Sequence, residues 1–395
     1  MEQFGAAVPT FIEFSYSFCR PPFTEDRPIA HSPRILFLTR RYPPCLGGIE
    51  THSYQLYTHL SAQGPVHLVA LRQQSLLHLA WFLPWALLKA LWILALQRVD
   101  VVYFSDGVIA ALAPLLRPFS RGLLVATIHG LELTYPNPLA NRLIRWGVDC
   151  CQRIVVVSRL TGDIAQEAGI AAEKQRVVYA GMEPLELPAA QVEPLKRRFE
   201  EEYGLRFGHD RILLNFGRKV PRKGVAAFIE KGMPLLAPDI KLLIGGRGPE
   251  NERLPQLVEK LGLQSRVFVL GPLSEEISAV LRQSADLFLM PNVHIPGDVE
   301  GFGIAPLESL SVGTPVVAFA VDGLVESIRE GGYLVAADDY PAFVEHIHRH
   351  YALTPQEQAA KSDQARAYVR REYTWSKNAA QYLDLVEEWF AGKSA

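Results

Sequence analysis

The chain has 395 residues, 49% of them apolar and 21% charged, with Gly and Pro scattered without a period. That composition excludes a disordered tail or a collagen-like repeat as the main architecture, and the length suits about two to three domains. A formal net charge of −2 argues against a nucleic-acid binder, whose footprint is a basic excess.

The charge is unevenly spread. Residues 34–150 hold 10 Lys/Arg against 5 Asp/Glu, whereas residues 186–395 hold 24 against 29. A basic surplus is either solvated surface or attraction to an anionic partner such as a lipid headgroup. The four cysteines, Cys19, Cys45, Cys150 and Cys151, form no CxxC and no zinc spacing. Residues 1–33 mix Glu2, Glu13, Arg20, Pro21 and Pro22 and read as an N-terminal arm. They do not run from basic to apolar to a cleavage site, so a reducing, cytoplasmic setting is expected.

The first buried strand is 34–39, a short apolar run ending in Arg40, Arg41 and Tyr42 with Gly47 and Gly48 behind it. A helical stretch over 49–63 follows, then strands at 66–70, 99–104, 123–128, 153–157 and 176–179. Residues 183–210 are charged, carry Pro184, Pro188 and Pro194, and contain no buried strand. The alternation restarts at 211–216 and continues through 240–244, 267–270, 287–290 and 315–319, before an amphipathic helix at 375–390. Strands alternating with helices predict parallel sheets covered on both faces. The fold class is α/β, with two tandem Rossmann-like doubly wound domains facing a cleft. Their predicted extents are 34–185 and 211–372, with a linker at 186–210 and a closing helix at 373–395.

One stretch breaks the pattern. Residues 76–96 are apolar at 18 of 21 positions, long enough to span a bilayer. Strands of one sheet lie on both sides of it, so spanning is disfavoured. A helix packed on the sheet and an in-plane helix at a membrane surface both stay open.

Several segments could carry chemistry. Glu300 and Glu308 lie eight positions apart, with Gly301, Phe302 and Gly303 leading into a helix at Ile304. Backbone N–H groups at such a helix start face an anion favourably. Gly217, Arg218, Lys223 and Gly224 follow a buried strand directly, and two cations there suit a diphosphate. Gly47 and Gly48 form a turn resembling a phosphate cradle, though no Walker Gly-Lys-Ser/Thr follows. His129 closes the strand at 123–128, and Gly245, Gly246 and Gly248 make an incomplete dinucleotide-type loop.

Together these motifs resemble the retaining glycosyltransferases of family 4, which have the GT-B fold, over about residues 34–390. The motif of two glutamates with seven residues between them matches Glu300 and Glu308, and the Gly-Arg-(x)4-Lys-Gly motif matches Gly217, Arg218, Lys223 and Gly224. The resemblance implies a role for each matched position. Arg218 and Lys223 hold the donor diphosphate, aided by Gly47, Gly48 and the amides around Phe302, Gly303 and Ile304. Glu308 binds the ribose, Glu300 orients the transferred sugar, and His129 lies near the anomeric centre. Backbone groups near 270–273 bind the base, and the closing segment from Tyr373 and Trp375 crosses back to the first domain. Arg247 and Gly130 stand where relatives often carry acids.

No Asp-x-Asp occurs in the chain, so neither a metal nor any other cofactor is expected, and Arg218 with Lys223 takes the charge. The implied reaction is retaining transfer of a sugar from a nucleotide sugar to a sugar or lipid-linked hydroxyl acceptor, with no nucleic acid involved. Peripheral contact with anionic membrane through 76–96 would place the enzyme on the inner face of the cytoplasmic membrane. A sugar-nucleotide epimerase and a non-catalytic sugar-nucleotide-binding subunit are the competing readings.

Overall fold

The computed structural model describes residues 32–45, 47–73, 76–130, 132–134, 137–184 and 186–394. The arm expected at 1–33 lies almost wholly outside them, as does Cys19.

The first sheet contains β1 (Ile35–Thr39), β2 (Val66–Ala70), β3 (Val101–Phe104), β4 (Leu123–Ile128), β5 (Arg153–Val156) and β6 (Gln175–Val177). Its order is β2-β1-β3-β4-β5-β6, all parallel. The second contains β7 (Arg211–Phe216), β8 (Ile240–Gly245), β9 (Val267–Val269), β10 (Leu287–Met290), β11 (Val316–Phe319) and β12 (Tyr333–Val335). Its order is β12-β11-β10-β7-β8-β9, again parallel. Central strands such as β1, β3 and β4 are buried at every position, as sheets covered on both faces require. Strand order reverses between β1 and β3 and between β7 and β10. In open α/β sheets the crevice beyond the strands' carboxyl ends at such a reversal receives the ligand.

Three elements differ from the sequence reading or add to it. The strand β12 was not anticipated; it is a three-residue edge strand, Tyr333–Val335, directly behind the turn at Gly331 and Gly332. The 186–210 stretch is not a bare linker. It carries a helix over Ala189–Tyr203, whose Phe199 packs with Leu205 and Phe207 in the core of the second sheet. The prolines and charges of that stretch lie on its solvent side and concealed the buried ring.

The helix Leu79–Leu96 lies on the first sheet through Phe82, Ala86, Ala90 and Ile93. Phe82 therefore faces the core. Trp81, Trp85, Leu88, Trp92 and Leu96 stay 46–67% exposed. The helix is long and apolar enough to cross a membrane. However, β2 before it and β3 after it both pair with β1, so it lies along the domain surface.

The chain ends in a helix, Trp375–Ser394, seated on the first domain. The Tyr382 hydroxyl meets Thr127 Oγ1 at 2.8 Å, and Thr127 in turn meets the Tyr103 hydroxyl at 2.7 Å. Asn378 donates to the Tyr179 carbonyl at 2.7 Å. The closing segment thus starts beside the second domain's core at Tyr373 and returns to the first.

Candidate active site at the facing strand ends

The turn after β7 and the loop after β10 meet at the second sheet's reversal. Lys223 Nζ donates to Glu300 Oε2 at 2.5 Å, and Arg222 reaches the same oxygen at 2.7 Å. Arg222 Nε also donates to Asp298 at 2.9 Å, and Asn292 Nδ2 reaches Glu300 at 3.3 Å. Lys223, Arg222 and Glu300 are all buried. Burial alone would raise the Glu300 carboxyl, but Lys223 and Arg222 override it and hold the carboxyl below its ordinary range. Burial pulls the Lys223 ammonium down, against the opposing pull of Glu300. Two cations meet two carboxylates, Glu300 and the half-exposed Asp298, so the cluster is formally neutral and the exposed Arg218 beside it supplies the surplus positive charge for an anion.

Arg218 is exposed at the rim, and among the described residues its guanidinium has no side-chain partner. The sequence reading paired Arg218 with Lys223. The structure adds Arg222 at the carboxylate and leaves the Arg218 guanidinium exposed at the rim. The Gly-Arg-(x)4-Lys-Gly spacing singles out Arg218 and gives Arg222 no role; packing against Glu300 and Asp298 does.

Glu308 lies on the helix Ile304–Ser311. Arg282, from another helix, holds one of its oxygens at 2.5 Å. That guanidinium also stacks over the Phe216 ring, 4.7 Å from its centre. The Glu308 side chain is 39% exposed, and among the described residues Arg282 is its one side-chain partner. Phe302 is buried and stacks on Tyr179 at 5.3 Å between nearly parallel rings. Its side chain is therefore core, and only its backbone is available to the site.

The first domain faces this rim with two features. Gly48 begins the helix Gly48–Gln63, and a Cβ placed on it would lie 3.2 Å from Ile304 Cδ1. Two helix N-termini, each with unpaired N–H groups and a positive dipole end, are therefore adjacent. His129 lies at the end of β4, its Nε2 donating to the Ser105 carbonyl at 3.0 Å and its backbone N–H to Glu132 at 2.8 Å. In the neutral ring Nδ1 then carries the lone pair. A Cβ on Gly301 would come within 2.5 Å of the His129 carbonyl. Only a residue without one lets the glutamate loop approach the first domain this closely.

The structure thus brings together Gly48, His129, Gly301, Ile304 and, behind them, the Lys223–Glu300 pair. The sequence reading missed Arg222, Asn292, Asp298, Arg282 and Lys219. The last of these is 4% exposed and hydrogen-bonded to the Leu270 carbonyl. Among the described residues, no group of three or more His, Cys, Asp or Glu could hold a metal ion.

Comparison with known proteins agrees with this arrangement. Residues 46–184 match the family described as Glycosyltransferase Family 4, and residues 197–367 match Glycosyl transferases group 1. A GDP-mannose-dependent alpha-(1-6)-phosphatidylinositol monomannoside mannosyltransferase of Mycolicibacterium smegmatis is 30% identical over 302 residues, covering 73% of this chain and 76% of that protein. An uncharacterized glycosyltransferase of Methanocaldococcus jannaschii is 27% identical over 333 residues, 75% of this chain and 83% of its own. Among solved structures, Anabaena HepE in complex with UDP-glucose superposes with a TM-score of 0.70 at 19% identity, over 90% of this chain and all of that one. That likeness concerns the fold. With both family matches and these two relatives spanning both domains, the chain belongs to glycosyltransferase family 4 and has its GT-B fold.

Proposed function

We propose that this glycosyltransferase moves a hexosyl group from a nucleoside-diphosphate sugar to a hydroxyl acceptor, retains the anomeric configuration, and needs no metal. The observation that carries this reading is the buried Lys223–Glu300–Arg222 cluster beside two facing helix N-termini. Charge develops on the departing diphosphate, and fixed donors there lower the barrier most. Lys223 and the rim Arg218 supply the cations, and the amides at Gly47, Gly48, Phe302, Gly303 and Ile304 supply the dipoles. Glu308 takes the ribose hydroxyls on the oxygen not held by Arg282. Glu300 keeps the Lys223 ammonium in place and orients sugar hydroxyls at the cleft wall. His129, with Nε2 anchored on Ser105, offers Nδ1 to a hydroxyl near the anomeric carbon.

In this reading the acceptor oxygen attacks the anomeric carbon on the face the diphosphate leaves. The bond from that carbon to the phosphate oxygen breaks, and a phosphate oxygen receives the acceptor's proton. What the chain supplies is positioning in a closed cleft.

The acceptor in this reading is lipid-linked, reached from the inner face of the cytoplasmic membrane. The exposed tryptophans of Leu79–Leu96 support it, with Leu115, Phe119, Leu139, Leu143 and Trp146 also exposed on the same domain. Lys89 lies 4.1 Å from the centre of the Trp92 ring, and the helix contains no acidic residue. Tryptophan suits the water–lipid boundary, and anionic headgroups attract nearby cations by about 1 kcal/mol each. The Mycolicibacterium smegmatis relative, by its name, acts on a phosphatidylinositol mannoside.

The test is a transfer assay with a panel of nucleotide sugars and polyprenyl-phosphate- or phosphatidylinositol-based acceptors in excess EDTA, with the product anomer read by NMR. Transfer with the donor's anomeric configuration supports the reading. Inversion, or activity restored only by Mg²⁺ or Mn²⁺, contradicts it.

A further inference from the structure

Lys219 is not accounted for by the cluster around Glu300. It is buried, yet among the described residues no carboxylate forms an ion pair with it, and burial alone pulls its pKa down. The acid nearest through the backbone is Glu250, whose N–H donates to the Lys219 carbonyl at 3.1 Å. Glu250 gives Oε1 to Arg253 at 2.8 Å, and its buried Oε2 has no hydrogen-bond partner among the described residues. Among the described residues the ammonium has one hydrogen-bond acceptor, the Leu270 carbonyl at the end of β9. An ammonium carries three donors and no acceptor, so two N–H bonds are unused. A buried, unpaired charge is costly, and a chain with no use for it would carry an apolar residue there.

The backbone around Lys219 is locked in place. Its N–H donates to the Arg247 carbonyl at 2.8 Å. A Cβ on Gly246 would strike the Gly217 carbonyl, and one on Gly248 the Lys219 carbonyl. The incomplete dinucleotide-type loop at 245–248 therefore serves as a close-packed bed that turns Lys219 inward.

Where it points follows from the rim. Arg282 joins Glu308 to the Phe216 ring. A Cβ on Gly245 would meet Phe216 on one side and Leu273 on the other, and Leu273 is three residues beyond Leu270. With phosphates at Lys223 and ribose at Glu308, a nucleotide extends its base along this row over the ends of β7, β8 and β9. The base then ends beside Leu270 and the Lys219 ammonium.

We propose that Lys219 reads the donor's nucleobase, selecting a ring carbonyl, as in uracil or guanine, over an amino group in the same place, as in cytosine or adenine. The ammonium can only donate, so a carbonyl oxygen satisfies it and an amino group opposes it. The proposal rests on the donor-site reading above and adds which base the site accepts.

The experiment is calorimetric titration of the full chain with UDP, CDP, GDP and ADP, comparing wild type, Lys223→Ala and Lys219→Met. The pairs UDP with CDP and GDP with ADP keep ring size fixed and change the carbonyl to an amine, and IDP, added to the panel, makes the purine comparison with ADP free of guanine's extra 2-amino group. In wild type the preferred ring size should bind its carbonyl form at least about tenfold tighter. Lys219→Met should bring that ratio close to one by weakening the carbonyl form. Lys223→Ala should weaken both members of a pair equally and leave the ratio intact. A wild type that prefers the amino base, or binds both alike, overturns the proposal without any variant. A Lys219→Met protein that keeps the wild-type ratio overturns it too. Binding of none of the panel by wild type would instead bring down the donor-site reading, and the base reading with it.

Discussion

The two domains repeat one architecture and use their strand ends differently. At the second domain's reversal point, charged side chains from β7, β10 and the following helices converge. Lys223 and Arg222 share Glu300, and Arg282 holds Glu308. At the first domain's rim the charges are paired within the domain, Arg40 with Asp106 and Arg41 with Glu50, each at 3.1 Å, beside a helix start at Gly48 and His129 anchored on a carbonyl. Its outer surface instead carries exposed tryptophans and leucines. A diphosphate is recognised by charge, and charge needs fixed counter-groups to hold it ready. An acceptor met at a membrane is reached by placing a whole domain, for which apolar area and a few cations suffice.

The largest effect that would sharpen this contrast is on the charged side. Lys223→Ala should lower kcat by a factor on the order of 10²–10³, as removal of one preorganised donor does elsewhere. The fold should survive, since Glu300 keeps Arg222 at 2.7 Å and so remains paired. Near-normal turnover in a folded variant would take Lys223 out of the chemistry. On the apolar side the expected effect is smaller. Replacing Trp81, Trp85 and Trp92 together with serine should reduce flotation with anionic liposomes at low salt by about tenfold. Turnover on a water-soluble acceptor analogue should be unchanged, because all three rings are about half exposed and outside the donor site, Trp81 and Trp85 touching only the edge of the core at Phe82. Wild-type protein that ignores anionic vesicles would assign this face to a contact other than lipid.

The same contrast explains what could be read from sequence. The central strands are continuous apolar runs, and all of them were legible. β12 was not, although β6 and β9, equally short and at sheet edges, were. The donor motif located Lys223, Glu300 and Glu308, because turn residues after a buried strand mark where a ligand is met. It singled out Arg218 but gave no sign that Arg222 would pair with Glu300 and Asp298. Arg282 reaches Glu308 from a helix 26 residues earlier, and Lys219 turns inward only because the 245–248 loop packs on its backbone. These are tertiary facts without a local pattern. The exposed face of Leu79–Leu96 was half legible. Its apolar excess was plain, whereas the burial of Phe82 depended on which way the helix rolled against the sheet.

The measurement that bears most directly on the central claim is the affinity difference between a nucleoside diphosphate and its monophosphate. Titrating UDP against UMP and GDP against GMP isolates the second phosphate, which the Lys223 cluster and the two helix starts are held to grip. Wild type should bind the diphosphate at least about tenfold tighter, and Lys223→Ala should erase most of that preference while binding the monophosphate as before. Equal affinity for mono- and diphosphate in wild type, or a preference untouched in Lys223→Ala, would contradict the account.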